Sequence, residues 1–181
     1  IQAVLEASRG VAGGPAPGAL VFSGPVPLTQ SGTVRARAVS PGGEWSPLTE
    51  ARFIYGIPAT AAHLVISELS YRPLGPSTAA EIASGAADRG AFEFVEVTNV
   101  SSTRVNLTGV KFTAGIEFDF SGTGAATLEP GGRALVVANR TAFGARYGTP
   151  VLAAVAGEFA GLSSLDNGGE VLELTAADGS I

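Results

Sequence analysis

Two glutamates within apolar, strand-like segments are the residues of this sequence best placed for chemistry. Glu68 lies in the run LVISELS, and Glu96 lies in the run FEFVEVT. Side chains alternate between the two faces of a β-strand, so counting by twos places Glu68 with Leu64 and Ile66, and Glu96 with Phe92 and Phe94. Each carboxylate is therefore expected to point toward the protein interior or its rim.

The two carboxylates suggest either a reactive site or a structural role. If their strands are neighbours, Glu68 and Glu96 form a candidate Ca²⁺ site or the acid–base pair of a hydrolase. In the structural alternative, each carboxylate accepts hydrogen bonds from backbone N–H groups or from an arginine such as Arg72 or Arg104. We expect the structural role, and apart from the Ca²⁺ alternative we predict no cofactor.

Three aromatic residues form a second candidate site. Trp45, Phe53 and Tyr55 lie close together in the sequence, and exposed aromatic rings can serve as a stacking platform for sugars. In the alternative, Trp45 is a core or interdomain residue, because a tryptophan buries a large apolar area in a small β-domain.

The remaining polar candidates favour structural roles. His63 is the only histidine, so a Ser-His-Asp triad would require it, and no G-x-S-x-G motif supplies the serine. Asp166, Glu170 and Asp178 form an acidic turn region, but their spacing is not that of an EF-hand loop. We expect His63 to be a satisfied surface residue and the three carboxylates to be solvated.

The composition limits the classes of fold and function. With 25 glycines, 11 prolines and only 15% charged residues, short strands joined by many turns are favoured over long helices, which predicts an all-β protein. The net charge of −5, with scattered basic residues, provides no basic stripe for nucleic-acid phosphates. The absence of cysteine removes disulfides, thiol nucleophiles and thiolate metal sites. No apolar run of about 18 residues predicts a membrane-spanning helix.

Apolar segments recur at short intervals in the C-terminal two thirds of the chain. About seven short strands separated by Gly, Pro, Asn and Ser turns are typical of a β-sandwich. The predicted strands lie in segments 63–71, 91–99, 105–107, 109–120, 133–139, 151–161 and 169–176. Segments 77–88 and 141–147 have helical character.

Residues 19–56 contain a smaller group of predicted antiparallel strands. The segment TVRARAV (33–39) alternates apolar with polar side chains, and a Pro-Gly-Gly turn follows it. Together with FSGP (22–25) and Trp45-Ser46, this segment resembles the final strands of the fibronectin-III-like module at the C-terminus of chitobiase-type enzymes. The family's upstream Tyr-Thr-x-Asp-Gly-Ser hairpin is missing, so we expect the module to be incomplete.

Four motifs between residues 62 and 181 resemble the lamin tail domain in its bacterial form. They are Ile-Ser-Glu (66–68), Glu-x-x-Asn (96–99) followed by Asn-Leu-Thr-Gly, Leu-x-Pro-Gly-Gly (128–132), and Asn-x-Gly-Glu-x-x-x-Leu (167–174). The resemblance implies an immunoglobulin-like β-sandwich that occurs as an appended module of secreted or envelope proteins. It implies no catalytic activity for the module.

We therefore predict a fibronectin-III-like β module over residues 1–56, a linker over 57–61 and a lamin-tail-like immunoglobulin-fold domain over 62–181. The predicted function is a non-catalytic accessory interaction module, for adhesion, anchoring or domain positioning, in a larger secreted or cell-envelope bacterial protein. The alternative is a carbohydrate-binding module attached to a glycoside hydrolase.

The expected partners are a protein or a cell-surface polysaccharide and other domains of the parent chain, with no nucleic acid and no membrane insertion. The expected location is extracellular or in the cell envelope. The start at Ile1 and the end at Ile181 lead us to expect a segment of a longer polypeptide, with the last strand of the domain missing or completed by residues outside this sequence.

Overall fold

The computed structural model describes residues 2–6, 19–28, 31–161 and 163–176. The chain divides into two compact units, Ile1–Tyr55 and Gly56–Ile181. Ile57 and Pro58, in the segment predicted as a linker, pair with a strand of the second unit. The backbone N–H of Ile57 donates to the carbonyl oxygen of Arg104 at 2.9 Å, so this segment is tied to the second unit.

The described residues of the N-terminal unit form one antiparallel sheet. Its strands are β1 (Gln2–Glu6), β2 (Leu20–Val21), β3 (Gly32–Val39) and β4 (Thr49–Phe53), in the order β2-β1-β3-β4. The turn after β3 includes Gly43, whose φ of 85° is a conformation that favours glycine. Strand β3 contains the predicted segment TVRARAV, and β4 follows it within residues 19–56, where a group of antiparallel strands is predicted.

Within the second unit, residues 56–161 and 163–176 form three sheets. Its strands are β5 (Ile57–Pro58), β6 (Leu64–Ser70), β7 (Phe94–Asn99), β8 (Val105–Asn106), β9 (Lys111–Ala114), β10 (Phe118–Asp119), β11 (Thr127–Leu128), β12 (Arg133–Val137), β13 (Val155–Glu158) and β14 (Glu173–Thr175). The sheet orders are β13-β12-β7-β6, β10-β9-β14 and β11-β8-β5.

The main core lies between the four-stranded sheet and the two three-stranded sheets. Val95, Val97 and Val136 contribute to it from the first layer, and Phe112 and Leu174 contribute from the second. Each side chain is at most 6% exposed. Apolar side chains from two facing sheets buried in one cluster are the defining property of a β-sandwich.

The opposite face of the four-stranded sheet is also covered. Phe94, Leu135 and Val137 pack with Phe143 of helix α2 (Arg140–Tyr147) in a second apolar cluster. Strand β7 is therefore buried on both faces, although it contains the polar residues Glu96, Thr98 and Asn99.

Two short helices begin at side-chain caps. Thr78 and Glu81 form a reciprocal capping box at helix α1 (Ala79–Ala83), and Asn139 caps α2 by accepting from the N–H of Ala142 at 2.9 Å. Both lie in the segments predicted to be helical. The prediction of a strand starting at residue 151 is wrong, because Thr149–Ala154 forms a 3-10 helix that leads into β13. The path from β12 through α2 makes β12 and β13 parallel.

Candidate functional site

Strands β6 and β7 are neighbours, and Glu68 is the register partner of Glu96. A β-bulge between Ile66 and Glu68 inserts Ser67 as an extra residue. Ile66 pairs with Val97 on the core face, whereas Glu68 pairs with Glu96 on the outer face. The prediction that Glu68 shares a face with Leu64 and Ile66 is therefore wrong, because the bulge interrupts the alternation.

Glu96 is buried and bonded within the outer face of the four-stranded sheet. It is 6% exposed, and its Oε1 accepts from the hydroxyl of Ser67 at 2.7 Å. The guanidinium of Arg133 lies 3.4 Å from the carboxylate, and the Ser67 and Thr98 hydroxyls lie 2.7 Å apart. Glu96 thus has hydroxyl and arginine partners, as in the structural alternative. The arginine is Arg133 and not Arg72 or Arg104, the two examples named from the sequence.

The described residues contain no group of three or more His, Cys, Asp or Glu side chains that could hold a metal ion. Glu68 is exposed at the sheet edge, while Glu96 is buried beside Arg133. The two carboxylates together provide fewer oxygen ligands than the roughly six to eight that Ca²⁺ takes. The Ca²⁺ site at Glu68 and Glu96 therefore finds no support in this geometry and stays a prediction.

Asn99 is the centre of a buried polar cluster in the second unit. Its side chain is fully buried, and its Nδ2 lies 2.8 Å from the carbonyl oxygen of Thr103, 2.9 Å from that of Leu128 and 3.0 Å from that of Glu129. Its Oδ1 accepts from the backbone N–H and the hydroxyl of Ser101, at 2.9 and 2.8 Å. One amide thus connects the turn after β7 to the turn after β11.

The turn after β11 requires both of its glycines. Gly131 has φ of 70°, a conformation that favours glycine, and its N–H donates to the carbonyl oxygen of Asn99 at 3.0 Å. A Cβ on Gly132 would lie 2.8 Å from the carbonyl oxygen of Glu129. The Glu-x-x-Asn and Leu-x-Pro-Gly-Gly motifs therefore contact each other and form one structural unit.

A buried ion pair fixes the loop before α1. Arg146 donates from Nε to the Oε1 of Glu81 at 2.7 Å, and from its terminal nitrogens to the carbonyl oxygens of Leu74 and Gly75 at 2.8 and 3.0 Å. Its guanidinium carbon lies 3.4 Å from the centroid of the Phe92 ring. The hydrogen bond from Arg146 lowers the pKa of Glu81 most, and bonds from the backbone N–H groups of Ser77 and Thr78 add to this effect, so that the pKa falls from 4.5 to about 2.

A second buried carboxyl has the opposite electrostatic character. Glu93 is 3% exposed, and its Oε2 accepts from the N–H of Leu165 at 3.0 Å. Burial raises the pKa of Glu93, and the negative charges of Asp88 and Glu170 add to this effect. The neutral, protonated form of Glu93 is therefore favoured relative to that of an exposed glutamate.

The structure does not bring the three predicted aromatic side chains together. Trp45 pairs with Val39 at one end of β3, and Phe53 pairs with Gly32 at the other end. Because Gly32 and Val39 are an odd number of residues apart on a regular strand, Trp45 and Phe53 lie on opposite faces of the sheet. Tyr55, whose N–H donates to the Ser31 hydroxyl at 2.8 Å, lies toward the Phe53 end.

The other polar candidates occupy local turns. The Nδ1 of His63 lies 3.1 Å from the hydroxyl of Thr60 and 3.2 Å from the carbonyl oxygen of Pro58. Asp166 and Glu170 are exposed and bond to backbone N–H groups of their own turn. Asp178 lies outside the described residues.

Sequence reasoning missed Glu81, Arg146 and Glu93. The capping signature Ser/Thr-x-x-Glu at Thr78 could have identified Glu81. No sequence signal points to Arg146, because its partners lie some seventy residues earlier in the chain. Glu93 adjoins an apolar run and reads as a strand residue until its burial is known.

Comparison with protein families matches residues 57–181 to the Lamin Tail Domain. The prediction of an all-β, immunoglobulin-like β-sandwich is thereby confirmed for these residues. The fibronectin-III-like resemblance of residues 19–56 stays a prediction. Neither the curated proteins nor the solved structures that were compared provide a match. In the described part of the chain, no helix has the length and apolar character that a membrane span requires.

Proposed function

Because this chain belongs to the lamin tail domain family, a family of immunoglobulin-like, non-catalytic domains, we propose that it is an accessory interaction module. Its role is adhesion, anchoring or domain positioning within a larger secreted or cell-envelope bacterial protein. Its partner is a protein or a cell-surface polysaccharide.

The observation that carries the proposal is that the buried polar side chains bond to other groups of the fold. Asn99 joins two turns, Glu96 is bonded to Ser67, and Glu81 is paired with Arg146. Groups bound in this way hold the strands and loops in position and are not directed at a substrate. A rigid sandwich that presents loops and edges is well suited to recognition.

The proposal is tested by two assays on the full chain. We expect no turnover on a broad panel of glycoside, ester and phosphoester substrates. Turnover that Glu96→Gln abolishes, with the melting temperature unchanged, would instead assign a hydrolase.

A glycan array distinguishes a protein partner from a saccharide partner. A specific signal lost on Phe53→Ala or Trp45→Ala would favour the carbohydrate-binding alternative. An array without signal would favour a protein partner. Because Trp45 and Phe53 lie on opposite faces, we expect that at most one of the two substitutions changes any signal that is found.

A further inference from the structure

The most distinctive unassigned surface of the second unit is an apolar groove at one edge of the sandwich. Leu69 and Tyr71, from the end of β6, line it together with Leu165 and Leu172. Leu69 and Tyr71 are 45% and 46% exposed. The cavity measures about 290 Å³, which is at or below the lower end for small-molecule pockets and suits one or two apolar side chains.

The groove has an acidic rim. Asp166 and Glu170 are both exposed and belong to its lining, which contains no basic residue among the described residues. Each carboxylate uses one oxygen for a backbone N–H of the turn, at 2.7 Å, so the turn holds them in place. Glu93 lies behind the groove, where its carboxylate accepts from the N–H of Leu165 and so helps to hold the turn in place.

Strand β6 lies beside this groove at the edge of its sheet. In the order β13-β12-β7-β6, the described residues place no strand on the far side of β6. An edge strand presents a row of N–H and C=O groups on its outer side, and extended peptides bind such edges by adding a strand. The bulge at Ser67 limits this pairing to the part of β6 near Leu69.

We infer that this groove binds an extended peptide segment in which an apolar residue and a basic residue stand two positions apart, so that both side chains face the groove. The segment adds to the end of β6, places an apolar side chain between Leu69 and Leu165, and places a lysine or arginine against Asp166 and Glu170. This inference rests on the proposed function, since it names the partner of an interaction module.

The probe is a fluorescently labelled, end-blocked hexapeptide of sequence Thr-Val-Thr-Lys-Thr-Val, in which valine and lysine share one face of the strand, and its binding to the full chain is measured by fluorescence anisotropy. We expect a dissociation constant on the order of 10–100 μM, as for a weak, transient interface. Three control peptides replace lysine by glutamate, replace valine by serine, or carry N-methyl groups on alternate backbone nitrogens. We expect each to bind at least about tenfold more weakly, because it loses charge complementarity, apolar burial or strand pairing.

Two variants of equal charge change locate the site. Asp166→Asn combined with Glu170→Gln removes both rim charges but keeps the oxygens that accept the turn N–H bonds. Glu44→Gln combined with Glu117→Gln makes the same charge change at exposed positions outside the groove lining. We expect the first pair to weaken binding about tenfold and the second less than about twofold.

An apolar variant provides an independent test. Leu69→Ser should weaken binding about tenfold, whereas Ile82→Ser, at an exposed position of α1 outside the lining, should leave it unchanged. If Leu69→Ser does not fold, the rim variants still decide the outcome.

Several results would overturn the inference. These are a probe that does not bind, equal binding of the N-methylated peptide, or equal losses in the two charge-matched double variants. Concentration-dependent dimerisation that the rim variant abolishes would assign the groove to a second copy of the chain. Any of these results leaves the proposed function intact, because that function fails only on turnover in the substrate panel.

Discussion

Replacing Asn99 by aspartate tests whether this side chain holds the second unit together. The substitution keeps the shape of the side chain but replaces Nδ2 by an oxygen. That oxygen would face three carbonyl oxygens at distances of 2.8, 2.9 and 3.0 Å. Three attractive contacts become repulsive in a site where the side chain is fully buried.

The magnitude follows from the bonds that are lost. The two N–H hydrogens of Asn99 and the two groups donating to its Oδ1 make four good hydrogen bonds, each contributing about 1 kcal/mol net. Asn99→Ala should therefore destabilise the unit by about 3–4 kcal/mol. Asn99→Asp should cost about 4 kcal/mol or more at neutral pH, because it also buries a charge without a cation.

Thermal and urea unfolding followed by far-UV circular dichroism measure this loss. For a unit of this size, about 4 kcal/mol corresponds to a melting temperature lower by about 10–15 °C. Protonation restores one donor, so the deficit of Asn99→Asp should narrow as the pH falls. Fluorescence of Trp45, the only tryptophan, reports the N-terminal unit separately.

The control is Asn167→Asp, which makes the same chemical change at an exposed turn residue. We expect it to shift the free energy of unfolding by less than about 0.5 kcal/mol. Equal melting temperatures for Asn99→Asp and Asn167→Asp would refute the role assigned to Asn99.

Three further substitutions test the other buried sites. The pKa of Glu81 is lowered from 4.5 to about 2, so its ionised form stabilises the fold above pH 4.5. This stability is lost as the pH falls toward 2. In urea unfolding, Glu81→Gln should therefore flatten the dependence of stability on pH between 4.5 and 2. The pKa of Glu93 is raised, so its contribution to the stability of the fold is present at low pH and is lost as the pH rises. Glu93→Gln should therefore raise stability relative to wild type at pH 8 but not at pH 4. The reverse order would contradict the raised pKa of Glu93. Gly132→Ala places a Cβ 2.8 Å from the Glu129 oxygen and should cost about 2–3 kcal/mol, whereas Gly124→Ala, with no atom within 4 Å, should stay within about 0.5 kcal/mol in the same melts.

Patterning and turn chemistry predicted the fold class well. Strand β7 lies in the apolar segment 91–99 that was predicted as a strand, and β3 contains the segment 33–39, whose apolar and polar side chains alternate. Both signals are local, so neighbouring residues suffice to identify them. The helical character predicted for segment 141–147 likewise agrees with α2.

The position of Glu68 could not be predicted by counting. A single inserted residue at Ser67 reverses the face of every later side chain in β6, and the sequence contains no glycine at this bulge to signal it. The separation of Trp45 from Phe53 was missed for a related reason, since the strand register between them was unknown.

The partners of the buried charges depend on contacts between distant parts of the chain. Arg133 reaches Glu96, and Arg146 reaches Glu81, across separations of 37 and 65 residues. Many arginines were available to each glutamate in the sequence, and only the packing of α2 and the strand order select one. The same packing creates the groove beside Leu69, which no linear motif indicates.

The substrate panel applied to the full chain and to Glu96→Gln tests most directly whether this lamin tail domain protein is an interaction module. We expect no turnover from either protein, because Glu96 is bonded to Ser67 and lies beside Arg133 within the sheet. Turnover by the wild type that disappears in a folded Glu96→Gln variant would contradict the proposed function.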